Sequence, residues 1–127
     1  MLKTTIAILL AGAFVSPCFA QTRPLTAAEK KIVTSSYGRN LKDPGAAQYR
    51  LPSLVIEPSV KGDEMGYCFQ VNGKNSYGAY TGFRTIAGKV KRRNGSIVSF
   101  SYAAGSRDDA IMADTTAEIC RIIGYSF

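Results

Sequence analysis

Met65-Gly66-Tyr67-Cys68-Phe69-Gln70-Val71-Asn72-Gly73-Lys74-Asn75-Ser76-Tyr77-Gly78-Ala79-Tyr80-Thr81-Gly82-Phe83 is the stretch that decides the fold. From Met65 to Val71, Tyr67, Phe69 and Val71 belong to one face and Cys68 to the other. That period of two is the signature of a strand with one face buried. Asn72-Gly73 is the strongest two-residue hairpin signal, since both residues tolerate the left-handed backbone such a turn demands. It predicts a turn there and an antiparallel strand over residues 74–83. In that strand Tyr77, Ala79, Thr81 and Phe83 alternate with Ser76, Gly78, Tyr80 and Gly82. A second Asn-Gly pair, Asn94-Gly95, turns a less regular stretch, residues 84–93, into a strand over residues 96–103. Val98, Phe100 and Tyr102 are expected to face in, Ser99 and Ser101 out.

Upstream, residues 21–25 read as a polar stub, and Thr26-Ala27-Ala28-Glu29 matches a capping box. Ala28, Ile32, Val33, Ser36, Tyr37 and Leu41 then recur at helical spacing, predicting a helix over 27–41 with Gly38 weakening its last turn. Asp43-Pro44 is a second start signal, for a short helical turn through Gln48. Residues 53–57 read as a strand that Pro58 confines to an edge or an end. Downstream, residues 105–109 are a loop. Asp114 is placed to cap a last helix over 115–123, and Gly124 stands where a helix ends. The expected fold is α+β: an N-terminal helix, a three- to four-stranded antiparallel sheet and a C-terminal helix, with both helices on one face.

The chain of 127 residues opens on Met1-Leu2-Lys3, an uncharged apolar run to Val15 and Ser16-Pro17-Cys18-Phe19-Ala20. A basic start, a short apolar core and a small residue at the cut form a secretory signal peptide over residues 1–20, cleaved after Ala20. The run is too short to cross a bilayer, which takes about 20 apolar residues. Cleavage leaves residues 21–127 as a single domain without a transmembrane segment, periplasmic or secreted. A lipoprotein cut before Cys18 is the competing reading; Pro17 sits where such a site wants a small flexible residue. Of three cysteines, Cys68 and Cys120 survive, and an even number in an exported chain reads as a disulfide. Closing a loop of that length stabilises a fold by roughly 4 kcal/mol in the chain-entropy model.

The segments Asp43-Pro44-Gly45-Ala46-Ala47-Gln48-Tyr49-Arg50, Gly66-Tyr67-Cys68 and residues 71–83 resemble a group of small exported bacterial proteins of unassigned function. In that group a DP-small-A turn precedes a cysteine and a VN-x-KNS-aromatic-G-x-Y-x-G strand. The resemblance spans residues 43–83. It implies export and a shared small fold, and carries no activity with it.

Sixteen Lys+Arg against nine Asp+Glu make the formal charge +7, which becomes +6 when Lys3 leaves with the signal. Such a balance favours anionic partners. The absence of histidine removes Ser-His-Asp hydrolysis, the usual zinc sites and histidine haem ligation. It also leaves no imidazole to activate a thiol, and no metal or cofactor is expected. Gly73-Lys74-Asn75-Ser76 is not a phosphate loop: that pattern needs a glycine where Cys68 stands, and a helix where a hairpin is expected. Two candidate surfaces remain. Asn72, Lys74, Asn75, Tyr77, Tyr80 and Arg84 make a polar-aromatic strand suited to a glycan, a peptide or an anion. Its structural alternative has Tyr77, Tyr80 and Phe83 packing the core. Lys89, Lys91, Arg92 and Arg93 make a basic hairpin tip.

The leading expectation is a non-enzymatic binding or inhibitory module of the bacterial envelope, meeting an anionic envelope polymer or another envelope protein. Export argues against nucleic acid outside DNA uptake or conjugation. The alternative is a hydrolase acting on peptidoglycan or another glycan through the carboxylate pairs Asp63-Glu64 and Asp108-Asp109, which would have to converge in a cleft.

Overall fold

Strands β1 (Gln21–Arg23), β2 (Gln48–Arg50), β3 (Leu54–Ile56), β4 (Glu64–Lys74), β5 (Tyr80–Arg93) and β6 (Ser96–Gly105) are joined by helices α1 (Ala27–Gly38) and α2 (Ala110–Ile122). The computed structural model describes residues 12–13, 21–57, 61–105 and 110–127. The expected leader and its expected cut site (but for Gly12 and Ala13), Cys18, Pro58 and the Asp108-Asp109 pair lie outside the described residues. Among the described residues, β2-β4-β5-β6 form an antiparallel sheet of 4 strands, and β1 pairs with β3 in a sheet of 2. The fold is α+β, and Cys68 and Cys120 are joined by a disulfide.

The hairpin geometry departs from expectation at Asn72-Gly73. Strand β4 runs through both residues, with a bulge before Lys74, and the chain turns at residues 75–79 instead. Asn75 closes that turn. Its Oδ1 accepts from the amides of Tyr77 (2.9 Å) and Ala79 (3.1 Å), while its own amide donates to the Ala79 carbonyl (2.8 Å). An asparagine that completes a turn with its side chain outcompetes a two-residue turn nearby. Strand β5 accordingly starts at Tyr80 and continues unbroken to Arg93, through the stretch expected to be irregular. Asn94-Gly95 does form the second turn, with φ of 52° and 82°, and Arg93 faces Ser96 across it. A bulge between Lys91 and Arg92 then shifts β6, so Ile97 is buried and Val98, expected inside, is 42% exposed.

Residues 21–25 are not merely a stub: their first three form β1, which precedes α1. The capping box of α1 is complete, Thr26 Oγ1 accepting from the Glu29 amide (3.2 Å) and Glu29 Oε1 from the Thr26 amide (2.9 Å). Glu29 does more than cap. It is 3% exposed, and its carboxylate also takes both arms of Arg23 (2.7 and 2.8 Å) and the Ile97 amide (2.7 Å). The Arg23 guanidinium, helped by the two amides, holds its pKa down to about 2. Helix α1 stops at Gly38, three residues short of Leu41, where the Asn40 side chain and backbone both donate to the Tyr37 carbonyl. Pro44 starts a 3-10 turn over Pro44–Ala46 without a side-chain bond from Asp43. Tyr49 and Arg50 belong to β2, unforeseen, and residues 54–56 pair with β1 rather than with the main sheet.

Tyr67, Phe69 and Val71 turn to one face of the sheet, where Tyr37 of α1 meets Phe69 edge-on (5.4 Å) and Phe69 meets Phe100 (5.6 Å). Cys68 and Gly66 turn to the other, where α2 lies. The helices therefore flank the sheet on opposite faces, not on one as expected. The approach is close at Gly66, where a Cβ would stand 2.7 Å from Ile123 Cδ1 and push that methyl aside. Helix α2 begins at Ala110, leaving Asp114 inside it rather than capping it. It ends at Ile122, and Gly124 beyond it closes the end, with the Tyr125 amide on the Cys120 carbonyl (2.9 Å) and the Gly124 amide on the Arg121 carbonyl (3.1 Å). Tyr125 packs edge-on against Tyr67 (5.6 Å) on the α1 face, its hydroxyl accepting from the Val55 amide (3.0 Å). Burial pushes the Tyr125 hydroxyl pKa up to about 12.

Candidate functional site

Where α1 ends, the chain crosses the ends of β4 and β5 and leaves a cleft of about 390 Å³ on the α1 face. Early termination of the helix makes the space: Asn40, Leu41 and Lys42 form an irregular rim instead of another helical turn. Leu41 lies over Gly73, where a Cβ would stand 3.4 Å from its Cδ2. The floor is Val71 and Arg84, cross-strand partners on β4 and β5. Lys74 and Asn75 of the hairpin turn close one side, and Tyr102 of β6, stacked edge-on to Tyr37 (5.6 Å), closes the other.

The electrostatics of the cleft are one-sided. Lys42, Lys74 and Arg84 reach it from three different segments, and among the described residues no aspartate or glutamate lines it. Lys42 donates to the Ser76 hydroxyl, tying the rim to the hairpin turn. Lys74 Nζ stands 5.2 Å from the centre of the Tyr80 ring. The Tyr80 hydroxyl in turn donates to the Ala46 carbonyl (2.8 Å), so the turn is anchored to the segment before β2. Three cations held around one concavity attract an anion and impose a position on it.

The six residues expected on a polar-aromatic strand are divided by the fold. Lys74, Asn75 and Arg84 line the cleft. Asn72 is buried and structural, its Nδ2 donating to Gln48 Oε1 (3.1 Å) and its Oδ1 accepting from the Gly82 amide (3.0 Å). Tyr80 braces the turn. Tyr77, the ring nearest the middle of the motif, is 95% exposed at the hairpin tip and packs nothing, contrary to the core-packing alternative. Phe83 lies beneath the Arg50 guanidinium, 3.6 Å from ring centre to carbon. Asn40, Lys42 and Tyr102 were not foreseen. They lie far from residues 72–84 in sequence, and the one available signal was the helix-weakening Gly38 just ahead of them.

The basic tip is also divided. Lys89, Lys91 and Arg93 alternate along the face that α2 partly covers, beside Ser101, Ser99 and Ser96 of β6. Arg92 points to the other face, with its amide donating to the Asp63 carbonyl (2.7 Å). These residues sit at the opposite end of β5 from Arg84. Asp63 and Glu64 are exposed at that same far end, Glu64 opposite Lys91, away from the cleft. Among the described residues no group of three or more Cys, Asp or Glu stands close enough to hold a metal ion. No described helix is long and apolar enough to cross a membrane. No family model, curated protein or solved structure matches this chain.

Proposed function

We propose that the chain is an exported, non-enzymatic binding or inhibitory module of the bacterial envelope that captures an anionic group of its partner in the cleft at the end of α1. The observation that carries this reading is the convergence of Lys42, Lys74 and Arg84 on one concavity whose described lining residues include no carboxylate. Two further features support the setting. The N-terminal segment has the composition of a secretory signal, and a disulfide of this kind persists in an oxidising compartment. Expression with the leader in a Gram-negative host, followed by fractionation and intact-mass analysis, is expected to yield a chain starting at Gln21 with both remaining cysteines oxidised. A chain retained in the cytoplasm, or carrying a lipid on Cys18, would overturn the export reading.

Binding is tested with charge-matched variants, because a mature charge of +6 alone attracts polyanions. On an immobilised heparin column, Lys42→Glu/Lys74→Glu and Lys89→Glu/Lys91→Glu change net charge equally. The cleft pair is expected to lower the eluting salt concentration more. If the β5 pair lowers it more, the contact is the basic face beside α2 and not the cleft.

A further inference from the structure

We infer that Gln21, once it is the first residue of the exported chain, closes on itself to pyroglutamate, a modification that rests on the export reading above. The chain holds glutamines at 21, 48 and 70. Gln48 Oε1 accepts from Asn72 (3.1 Å) and Gln70 Oε1 accepts from Arg50 (3.3 Å). Gln21 is exposed, and among the described residues its carboxamide has no hydrogen-bond partner to hold it back. Cleavage after Ala20 turns its backbone nitrogen into a primary amine with an ordinary pKa of about 7.7–8.0, which leaves a share of it as the neutral nucleophile at neutral pH. That nitrogen attacks the side-chain Cδ, a new N–Cδ bond closes a five-membered lactam, and the Cδ–Nε2 bond breaks. The carboxamide nitrogen leaves as ammonia with one proton from the amine, and nothing is oxidised or reduced.

Strand β1 tolerates the ring. Closure fixes rotation about the N–Cα bond, as the proline ring does, and leaves ψ free. The lactam nitrogen keeps one hydrogen, so the Gln21–Ile56 position of the ladder still has a donor to offer. What the ring protects is short. The ladder of β1 is Gln21 on Ile56, Thr22 on Val55 and Arg23 on Leu54, and loss of the first two residues alone removes most of it. Chain termini are where exopeptidases start. Arg23, next in line, is the guanidinium that holds both oxygens of the buried Glu29 and donates to the Gly95 carbonyl (2.9 Å). A lactam presents no amine to an aminopeptidase, so the ring guards the strand that ties α1 to the β5–β6 turn.

The test is export of the full chain from a Gram-negative host, then incubation of the oxidised mature protein in neutral buffer. Intact mass and N-terminal sequencing read the result. The expected product is one ammonia lighter than residues 21–127 and closed to sequencing until a pyroglutamyl peptidase removes its first residue and exposes Thr22. Gln21→Asn, whose shorter side chain would have to close a strained four-membered ring, should keep its amine and its full mass. A broad-specificity aminopeptidase should then trim Gln21→Asn and leave the wild-type chain whole. A chain that begins at Gln21 and keeps a free amine and its full mass overturns the ring and leaves the export reading standing. The same loss of ammonia in Gln21→Asn puts the reaction elsewhere in the chain and overturns the assignment. A chain that begins at any other residue overturns the cut site, and the ring with it.

Discussion

The two faces of the main sheet are built on different principles. On the α1 face, Tyr37, Tyr67, Phe69 and Phe100 form a continuous set of ring contacts over Val71, Ile86 and Val90, all of them buried. On the α2 face, β4 and β5 offer Gly66, Cys68, Gln70, Ala87 and then Lys89 and Lys91, with little apolar surface to cover. Helix α2 meets that face through Cys120 and Thr116, with Ile123 just beyond its end, while Ile119 and Ile122 remain exposed. Buried apolar area stabilises the first face at about 25 cal/mol per Å². The second has too little of it, and a covalent bond does the holding. Noncovalent packing fails gradually with substitution, whereas a cross-link fails all at once when it is reduced.

The largest effect should come from the aromatic face. Phe69→Ala removes the ring at the centre of its contacts and is expected to cost about 4 kcal/mol, read as a drop in the denaturant midpoint with an unchanged slope. A loss below about 1 kcal/mol would show that the ring set does not carry this face. Replacing the bridge by Cys68→Ala/Cys120→Ala should cost about 3 kcal/mol globally. Hydrogen exchange should then accelerate across α2 well before it does in α1 or β4. Equal acceleration in both helices would mean the faces do not differ in the way proposed.

Acid should act on the α1 side as reductant acts on the α2 side. The folded pKa of Glu29 is held near 2, below its ordinary 4.5, so its contribution is fully present above about pH 4.5 and is lost as pH falls towards 2. Wild-type stability should decline over that window by about 2–3 kcal/mol, and Glu29→Gln should flatten the decline while lowering stability at pH 7. An unchanged pH profile in Glu29→Gln would remove the carboxylate from this role. The smallest contrast tests the β6 bulge. Ile97→Ala should cost about 2 kcal/mol and Val98→Ala under about 0.5 kcal/mol, the reverse of what strict alternation from Phe100 predicts.

Much of this contrast was legible in the chain. Alternation at Tyr67, Cys68 and Phe69 already put the cysteine opposite the aromatic rings. A bridge from there to the last helix implies that this helix lies on the face away from the rings, yet both helices were expected on one face. The capping box at Thr26 and Glu29 and the Asn94-Gly95 turn are local motifs, and both formed as read. The Asn72-Gly73 turn was misread because two turn chemistries competed within four residues, and the side-chain bonds of Asn75 prevailed. The cleft was half visible. Lys74, Asn75 and Arg84 stand in one suspicious stretch, while Lys42 and Tyr102 join them only when α1 stops early and β6 lies alongside.

Composition, alternation and cysteine count by themselves determined an α+β chain with one buried aromatic face and a covalently tied last helix, since each rests on interactions within a few residues or on a pairing with no competitor. Only the tertiary structure decided where the chain turns, which residue of Ile97 and Val98 goes inside, and that three cations from distant segments share one cleft. Those outcomes depend on bulges, on the length of a helix and on which strands become neighbours. Each shifts a whole register of side chains for a difference of about 1–2 kcal/mol, too small for local pattern to arbitrate.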